Sequence, residues 1–388
     1  MPGSADTKDR NGDEWSGWRE GWWIELSYMA TRVCSFSKIN LGLGIGPVRG
    51  DGFHGLVTLY QTLDVHDLVM VTAVRADRTT ISLSTDHPRV PVDARNTVWK
   101  MVEKCLAKMG VGAEVSVHIE KNLPVQGGMG AGSANAAAAL IGLERELGVS
   151  LPEGERLELA AEVGSDVPLF LIGGAVLGTG RGEIVEGVAD LPRTACVVAV
   201  PGVGVSTPAA FREFDRRYEV QGAGYKVDGL TSAPVPDRLK ELSLAYASVF
   251  GREPGTSGIV PSPDLAMSGQ NPEKEQGGSD VSQMGLENDL AENILLSLVR
   301  TGVENDFEEV VFPEYPSLRE IKRLLMGVDS GAPALYAALS GSGSALFGLY
   351  GSFADAELAQ QRVQQSGVTA FVTETLPRAE YWARMFAG

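Results

Sequence analysis

Residues 124–140 read PVQGGMGAGSANAAAAL, running from Pro124 to Leu140. Gly127, Gly128, Gly130 and Gly132 fall within six positions, and alanine, the best helix former, follows at once. Glycine lets a backbone turn tightly and approach a ligand, while the first N–H groups of a helix have no partner inside it. Together they form an anion cradle, with N–H donors in front and the positive end of a helix dipole behind. The stretch therefore predicts a glycine turn opening a helix, which Ser133 caps or enters and which runs through AAAALIGLEREL to Gly148. Conformational need alone also explains glycine in a tight turn. Neither of two common nucleotide fingerprints is present: no lysine follows as GxxxxGK(S/T) requires, and Gly128, Gly130 and Ser133 give GxGxxS with no ribose-binding acid in a following strand.

Working outward, AEVSVHIEKNLP reads as a strand leading into the turn. Val98, Met101, Val102, Cys105 and Leu106 repeat at helical spacing and predict a helix from Asn96 to about Met109. From Arg32 the stretch VCSFSKINLGLGI is strand-like, with a turn at PVRGDG, an apolar run from Leu56 to Tyr60, and alternating strands at LVMVTAV and TTISLS. Downstream, TACVVAVPG reads as a buried strand, NDFEEVVFPEYPSLREIKRLL as helical and SALFGLY as a strand. The fold class is α+β. At 388 residues the chain exceeds what one core usually supports, so two domains are expected, divided at 29–195 and 196–388. Residues 1–28, holding four of the six tryptophans, read as an extension. A mobile insertion is placed at about 219–295, where 251–285 has no aromatic residue and is close to half Gly, Pro and Ser.

A formal charge of −17 argues against nucleic acid, whose phosphates need a basic face, and against an anionic membrane surface. Cys34, Cys105 and Cys196 are few, odd in number and far apart, which fits a reducing cytoplasm better than a disulfide framework. No stretch reaches the roughly 18 apolar residues of a membrane span, and the polar N-terminus lacks a signal peptide's apolar core. The expectation is a cytoplasmic protein, as a monomer or weak homodimer.

Two charged residues stand inside apolar runs. Lys38 interrupts a strand, where burying an ammonium is costly without a partner; a solvated edge position is the alternative. Asp166 begins DVPLFLIGG, and helix capping ahead of Pro168 would also explain it. Held together beside a phosphate cradle, the pair suits phosphoryl transfer: the acid orients or deprotonates a hydroxyl, and the lysine offsets charge.

SFSKINLGLGIG, PVQGGMGAGSANAA and LSGSGSALFGLY, in that order, resemble the GHMP kinase superfamily. SKINLGL, RGDGFHGL, GSDVPLF, STPAAF and NDFEEVVFPEYP further resemble its branch acting on 4-diphosphocytidyl-2-C-methyl-D-erythritol, a cytidine-diphosphate sugar alcohol of non-mevalonate isoprenoid synthesis. The resemblance spans about 31–215 and 295–388. It implies a ribosomal protein S5 domain 2-like N-terminal domain, a ferredoxin-like C-terminal domain, and ATP with Mg2+. By the same resemblance Lys38 and Asp166 are the catalytic pair, and Asn40 contacts substrate near the reacting hydroxyl. Phe53 and Phe211 stack on the two faces of the cytosine, and His54 hydrogen-bonds it; plain core packing is the other reading of the phenylalanines. Asn96, Pro124, Gly127, Gly128, Met129, Gly130, Ala131, Gly132 and Ser133 fall on the nucleotide side. Thr207, Gly341, Ser342 and Gly343 fall on the substrate side.

Departures from the family pattern concern nucleotide geometry. Ala134 stands where a second serine is usual, leaving the metal ligands unassigned. Ala131 replaces a glycine and requires φ below zero. Gly55 replaces a glutamate after the histidine. A mevalonate- or homoserine-type kinase, or a nucleotide-binding relative without catalysis, are the competing expectations.

Overall fold

The computed structural model describes residues 30–125, 127–220, 244 and 304–387. The expected N-terminal extension and most of the 219–295 insertion lie outside them. Two sheets organise the chain. In the first, β1 (Thr31–Val48) runs antiparallel to β2 (His54–Arg75) over nearly its whole length. On its other side β2 takes two partners, β5 (Ala175–Thr179) along Thr58–Gln61 and β4 (Ala113–Glu120) along Leu68–Arg75. β3 (Thr80–Thr85) pairs parallel with β4, and β6 (Ile184–Gly187) antiparallel with β5.

The apolar runs 56–60 and 68–74 are thus one strand. The polar stretch Asp64-Val65-His66-Asp67 breaks the alternation at the point where the register shifts, from Phe36↔His66 to Ser37↔Leu63. An extra pair of residues there bends the strand without ending it.

Helices α1 (Thr97–Met109), α2 (Ala131–Leu147) and α3 (Glu153–Val163) build a core against this sheet. The alanine run of α2 lets its backbone sit close to β1 and β2. At Gly142 a Cβ would already lie 2.7 Å from a Val71 methyl. Asn96 caps α1, its Oδ1 accepting from the Val98 N–H at 2.9 Å, and Gly110 and Gly148 end α1 and α2 in left-handed backbone.

The second sheet has the antiparallel order β10 (Thr369–Glu374), β7 (Ala195–Val200), β9 (Leu346–Tyr350), β8 (Tyr336–Leu339). Phe214 of α4 (Thr207–Val220), Phe307 and Val311 of α5 (Phe307–Glu314), Leu325 of α6 (Pro316–Met326) and Ala359 of α7 (Phe353–Gln365) cover one face. The other face meets the first sheet in a shared core of Ile39, Leu41, Leu59, Val198, Phe347 and Leu349. Each fully buried side chain there is worth about 1.5–3 kcal/mol, which fixes the two sheets relative to one another. The chain then returns: in α8 (Arg378–Ala383) the Tyr381 hydroxyl donates to the Phe170 carbonyl at 2.6 Å, and the Cys34 N–H donates to the Met385 carbonyl at 2.8 Å.

Candidate active site

Lys38 and Asn40 are two apart on β1 and therefore share a face. The Lys38 side chain is 2% exposed, and Nζ donates to Asn40 Oδ1 at 2.6 Å and lies 3.4 Å from Asp166 Oδ2. Asn40 Nδ2 donates to Thr58 Oγ1 at 2.8 Å, and that hydroxyl donates to the Gly42 carbonyl at 2.9 Å. Asp166, 34% exposed, precedes a 3-10 helix (Pro168–Leu171) whose N-cap is Val167 with no side-chain cap bond, so its carboxylate is not spent on capping. Its Oδ1 accepts from the Tyr60 hydroxyl at 3.0 Å. Burial pushes the Lys38 ammonium below its usual value, and Asp166 pulls it back up.

Over this pair lies the glycine turn. Gly127, Gly128 and Gly130 have φ of 129°, 80° and 72°. Gly130 is the N-cap of α2 and offers no side-chain cap, and Ala131 is already helical, so Ser133 sits inside the first turn. The Lys38 N–H donates to the Met129 carbonyl at 3.1 Å, tying the turn to β1. Just upstream of Pro124, buried Asp67 accepts from the N–H groups of Asn122 at 2.8 Å and Leu123 at 2.7 Å, and from the Lys121 ammonium.

A second bend, Ser340 to Ser344, locks into the first. Ser340 Oγ donates to the Gly128 carbonyl at 2.9 Å, and the Ala345 N–H donates to the Gly127 carbonyl at 3.0 Å. A Cβ at Gly128 would collide with the Ser340 carbonyl oxygen, so that position has to be glycine on two counts. At Gly341 a Cβ would stand 3.7 Å from Lys38 Nζ and 3.5 Å from Asn40 Oδ1, which places this bend directly over the pair. Asn305 Nδ2 donates to the carbonyls of Leu339 at 2.8 Å and Gly341 at 2.7 Å. The hydroxyls of Ser342 and Thr207 are 2.6 Å apart, and Gly343 packs beside Leu339. A cradle that side chains would fill, at an uncapped helix start, fits the phosphates of a nucleotide.

Asn96 is not gathered into this cluster. Its carboxamide is used at both ends, Nδ2 donating to the Pro91 carbonyl at 2.7 Å. Its neighbour Thr97 donates to the Gly132 carbonyl at 2.7 Å, which ties α1 to the first turn of α2. Ala134 is buried in the core of the first sheet.

His54 and Phe211 form a separate stacked pair, and Phe53 precedes His54 in the chain. His54 has Nδ1 2.8 Å from the Gly46 carbonyl and Nε2 3.1 Å from Asp215 Oδ1. The Phe211 ring rests on the imidazole, and Phe307 meets Phe211 edge-on with centroids 4.9 Å apart. Phe53 is 54% exposed, and the Arg181 guanidinium sits over its ring, 4.9 Å from the centroid.

Thr58, Tyr60, Arg181, Asp215 and Asn305 touch the candidate residues, and sequence reasoning singled out none of them. The one available signal was periodic: Thr58 and Tyr60 alternate on one face of a strand that has to pair with the strand holding Lys38.

Fold and site define a small-molecule kinase that uses ATP, and the chain belongs to the GHMP kinase family. Residues 96–174 match the profile of the GHMP kinases N terminal domain, and residues 287–369 that of the GHMP kinases C terminal domain. The chain is 33% identical over 363 residues to a protein of Synechococcus sp. (strain JA-2-3B'a(2-13)) named 4-diphosphocytidyl-2-C-methyl-D-erythritol kinase, covering 92% of this chain and 94% of that one. A crystal structure of 4-(cytidine 5'-diphospho)-2C-methyl-D-erythritol kinase superposes with a TM-score of 0.57 at 23% identity, over 89% of this chain and 98% of the other. The homoserine kinase of Cytophaga hutchinsonii gives a TM-score of 0.54 at 16% identity, over 91% and 96%. The two structures show the shared fold, and their similar scores leave the acceptor to the site's own chemistry.

Proposed function

We propose that the protein is a 4-diphosphocytidyl-2-C-methyl-D-erythritol kinase, transferring the γ-phosphoryl group of ATP to a hydroxyl of that cytidine-diphosphate sugar alcohol, with the 2-phosphate and ADP as products. The observation that carries this reading is the 3.4 Å contact of Lys38 with Asp166 beneath two interlocked glycine bends, together with the Phe211 ring stacked on His54, the residue after Phe53. Neither mevalonate nor homoserine has a ring for such a group to stack on.

In this reading residues 29–195 hold the nucleotide, and residues of 196–388 outside the 219–295 insertion complete the acceptor side. The N–H groups around Gly128, Gly130, Gly132 and Ser133 hold the phosphates. Asp166 orients the acceptor hydroxyl and takes its proton as the new O–P bond forms and the bond to the β-phosphate oxygen breaks. Lys38 offsets the negative charge of Asp166 and of the transferred group, while Asn40 lies at the reacting hydroxyl. Mg2+, when bound with the nucleotide, would supply neutralisation of the charge on the transferred group. Among the described residues no cluster of three or more His, Cys, Asp or Glu could hold a metal.

No helix among the described residues is long and apolar enough to cross a membrane. The formal charge of −17 disfavours nucleic acid as a partner.

Coupled ADP release from the purified protein, with 4-diphosphocytidyl-2-C-methyl-D-erythritol, mevalonate and homoserine offered in parallel, tests the reading. Turnover with the cytidylyl acceptor alone is expected. Turnover with either other acceptor instead, or ADP release with none, refutes it.

A further inference from the structure

The Tyr60 side chain meets both members of the charged pair. It stands on β2 opposite Asn40 of β1, almost wholly buried. Its hydroxyl donates to Asp166 Oδ1 at 3.0 Å, and Lys38 Nζ lies 5.5 Å from its ring centroid. The two carboxylate oxygens of Asp166 are thus distinguished: Oδ1 is held by the phenol and Oδ2 faces the ammonium at 3.4 Å. A carboxylate's terminal torsion is soft, so without a second anchor the oxygen facing Lys38 is free to rotate away.

The surrounding backbone is cut to admit the phenol. At Gly178, on β5, a Cβ would come 2.6 Å from Tyr60 Cε2, and at Gly182, in the turn to β6, 2.5 Å from the hydroxyl oxygen. Phenylalanine would fill the apolar part of this space equally well. The added hydroxyl needs a partner once buried, and Asp166 is the partner it has.

We propose that Tyr60 is a positioning residue for phosphoryl transfer, acting through Asp166: the phenol fixes the carboxylate so that Oδ2 stays between the ammonium and the incoming alcohol. This rests on the kinase reading above, with Asp166 receiving the alcohol's proton. Burial and the neighbouring Asp166 hold the Tyr60 phenol well above its usual value, so it remains a donor throughout the working pH range and does not compete as a base.

Tyr60→Phe removes one donor and keeps the ring. Its kcat falls roughly tenfold, as losing one hydrogen bond to a charged group implies, while KM for ATP stays within about twofold because the glycine cradle is untouched. Incorporating 3-fluorotyrosine at position 60, a more acidic donor of nearly the same shape, restores kcat to within about twofold of wild type, as a retained donor requires. Each protein is assayed with whichever of the three acceptors the wild type turns over, and by ATP hydrolysis with none present. Wild type inactive on the cytidylyl acceptor but active on another sinks the substrate assignment alone. Tyr60→Phe with wild-type kcat, on any of these reactions, overturns the role of Tyr60. So does a thermal midpoint that drops far enough to account for the lost rate.

Discussion

The ring of Phe211 lies flat against His54, with centroids 4.9 Å apart and planes 8° from parallel. The helix bearing Phe211 also brings Asp215, one turn on, to the far nitrogen of the same imidazole. A base that enters beside Phe53 therefore either parts this stack or uses the outer face of Phe211. Phe211→Ala is expected to raise KM for the cytidylyl acceptor about 5- to 100-fold, since one base–aromatic stack is worth about 1–3 kcal/mol. KM for ATP should not change comparably. Steady-state kinetics with each substrate varied in turn checks this, and an equal rise in both constants rejects the assignment.

Asp166→Asn keeps the shape of the side chain and its contact with Tyr60 but removes the charge. Turnover is expected to drop by roughly a hundredfold or more, the usual size of a general-base contribution, while ATP affinity measured by calorimetry stays close to wild type. Unimpaired turnover in the variant would refute the assigned role.

Gly128→Ala places a methyl group against the Ser340 carbonyl at a φ of 80°. The two bends cannot then interlock as they do. A stability loss of about 1–3 kcal/mol in denaturant titration is expected from the strained backbone alone, together with weaker ATP binding. Gly148→Ala has open space around it and serves as the control for left-handed strain without a clash.

Lys38 is held below the 10.5 of a free lysine side chain by burial, against the pull of Asp166. Its charge is therefore lost, on raising the pH, before a free lysine would titrate. The alkaline limb of the kcat profile is expected below pH 10.5. In that window the unfolded chain still carries the proton that the folded protein has released, so the stability of wild type relative to Lys38→Met rises with pH. Denaturant titrations of both proteins across the window, beside the rate profile, separate loss of charge from loss of fold. An alkaline limb at or above 10.5 contradicts this account.

Local signals carried the sequence a long way. Gly127 to Ser133, the cap at Asn96 and the stops at Gly110 and Gly148 are decided within a turn or two of chain, and all can be seen in the letters. Lys38 and Asp166 stood out because each is charged within an apolar run. What could not be read is what depends on register and on distance. The bulge at Asp64 to Asp67 made one 22-residue strand look like two runs. Tyr60 looks like any core aromatic until β2 is paired with β1 on one side and β5 on the other. Asn305 and Asp215 reach the site from the second sheet and its helices, and no local pattern announces that meeting. That the Phe211 ring rests on His54 was likewise not legible, because a pattern of residue types cannot say which ring a side chain rests on.

The hold of Ser340 on Gly128 and of Ala345 on Gly127 bears on how the protein comes into being. More than two hundred residues separate each of these partners, so the cradle belongs to the contacts that form late, after a long loop has been closed. On the ribosome, a nascent chain that has completed the whole first sheet still lacks the second bend that holds Gly127 and Gly128. Products truncated before Ala345 are therefore expected to fold in part while their glycine turn stays unanchored.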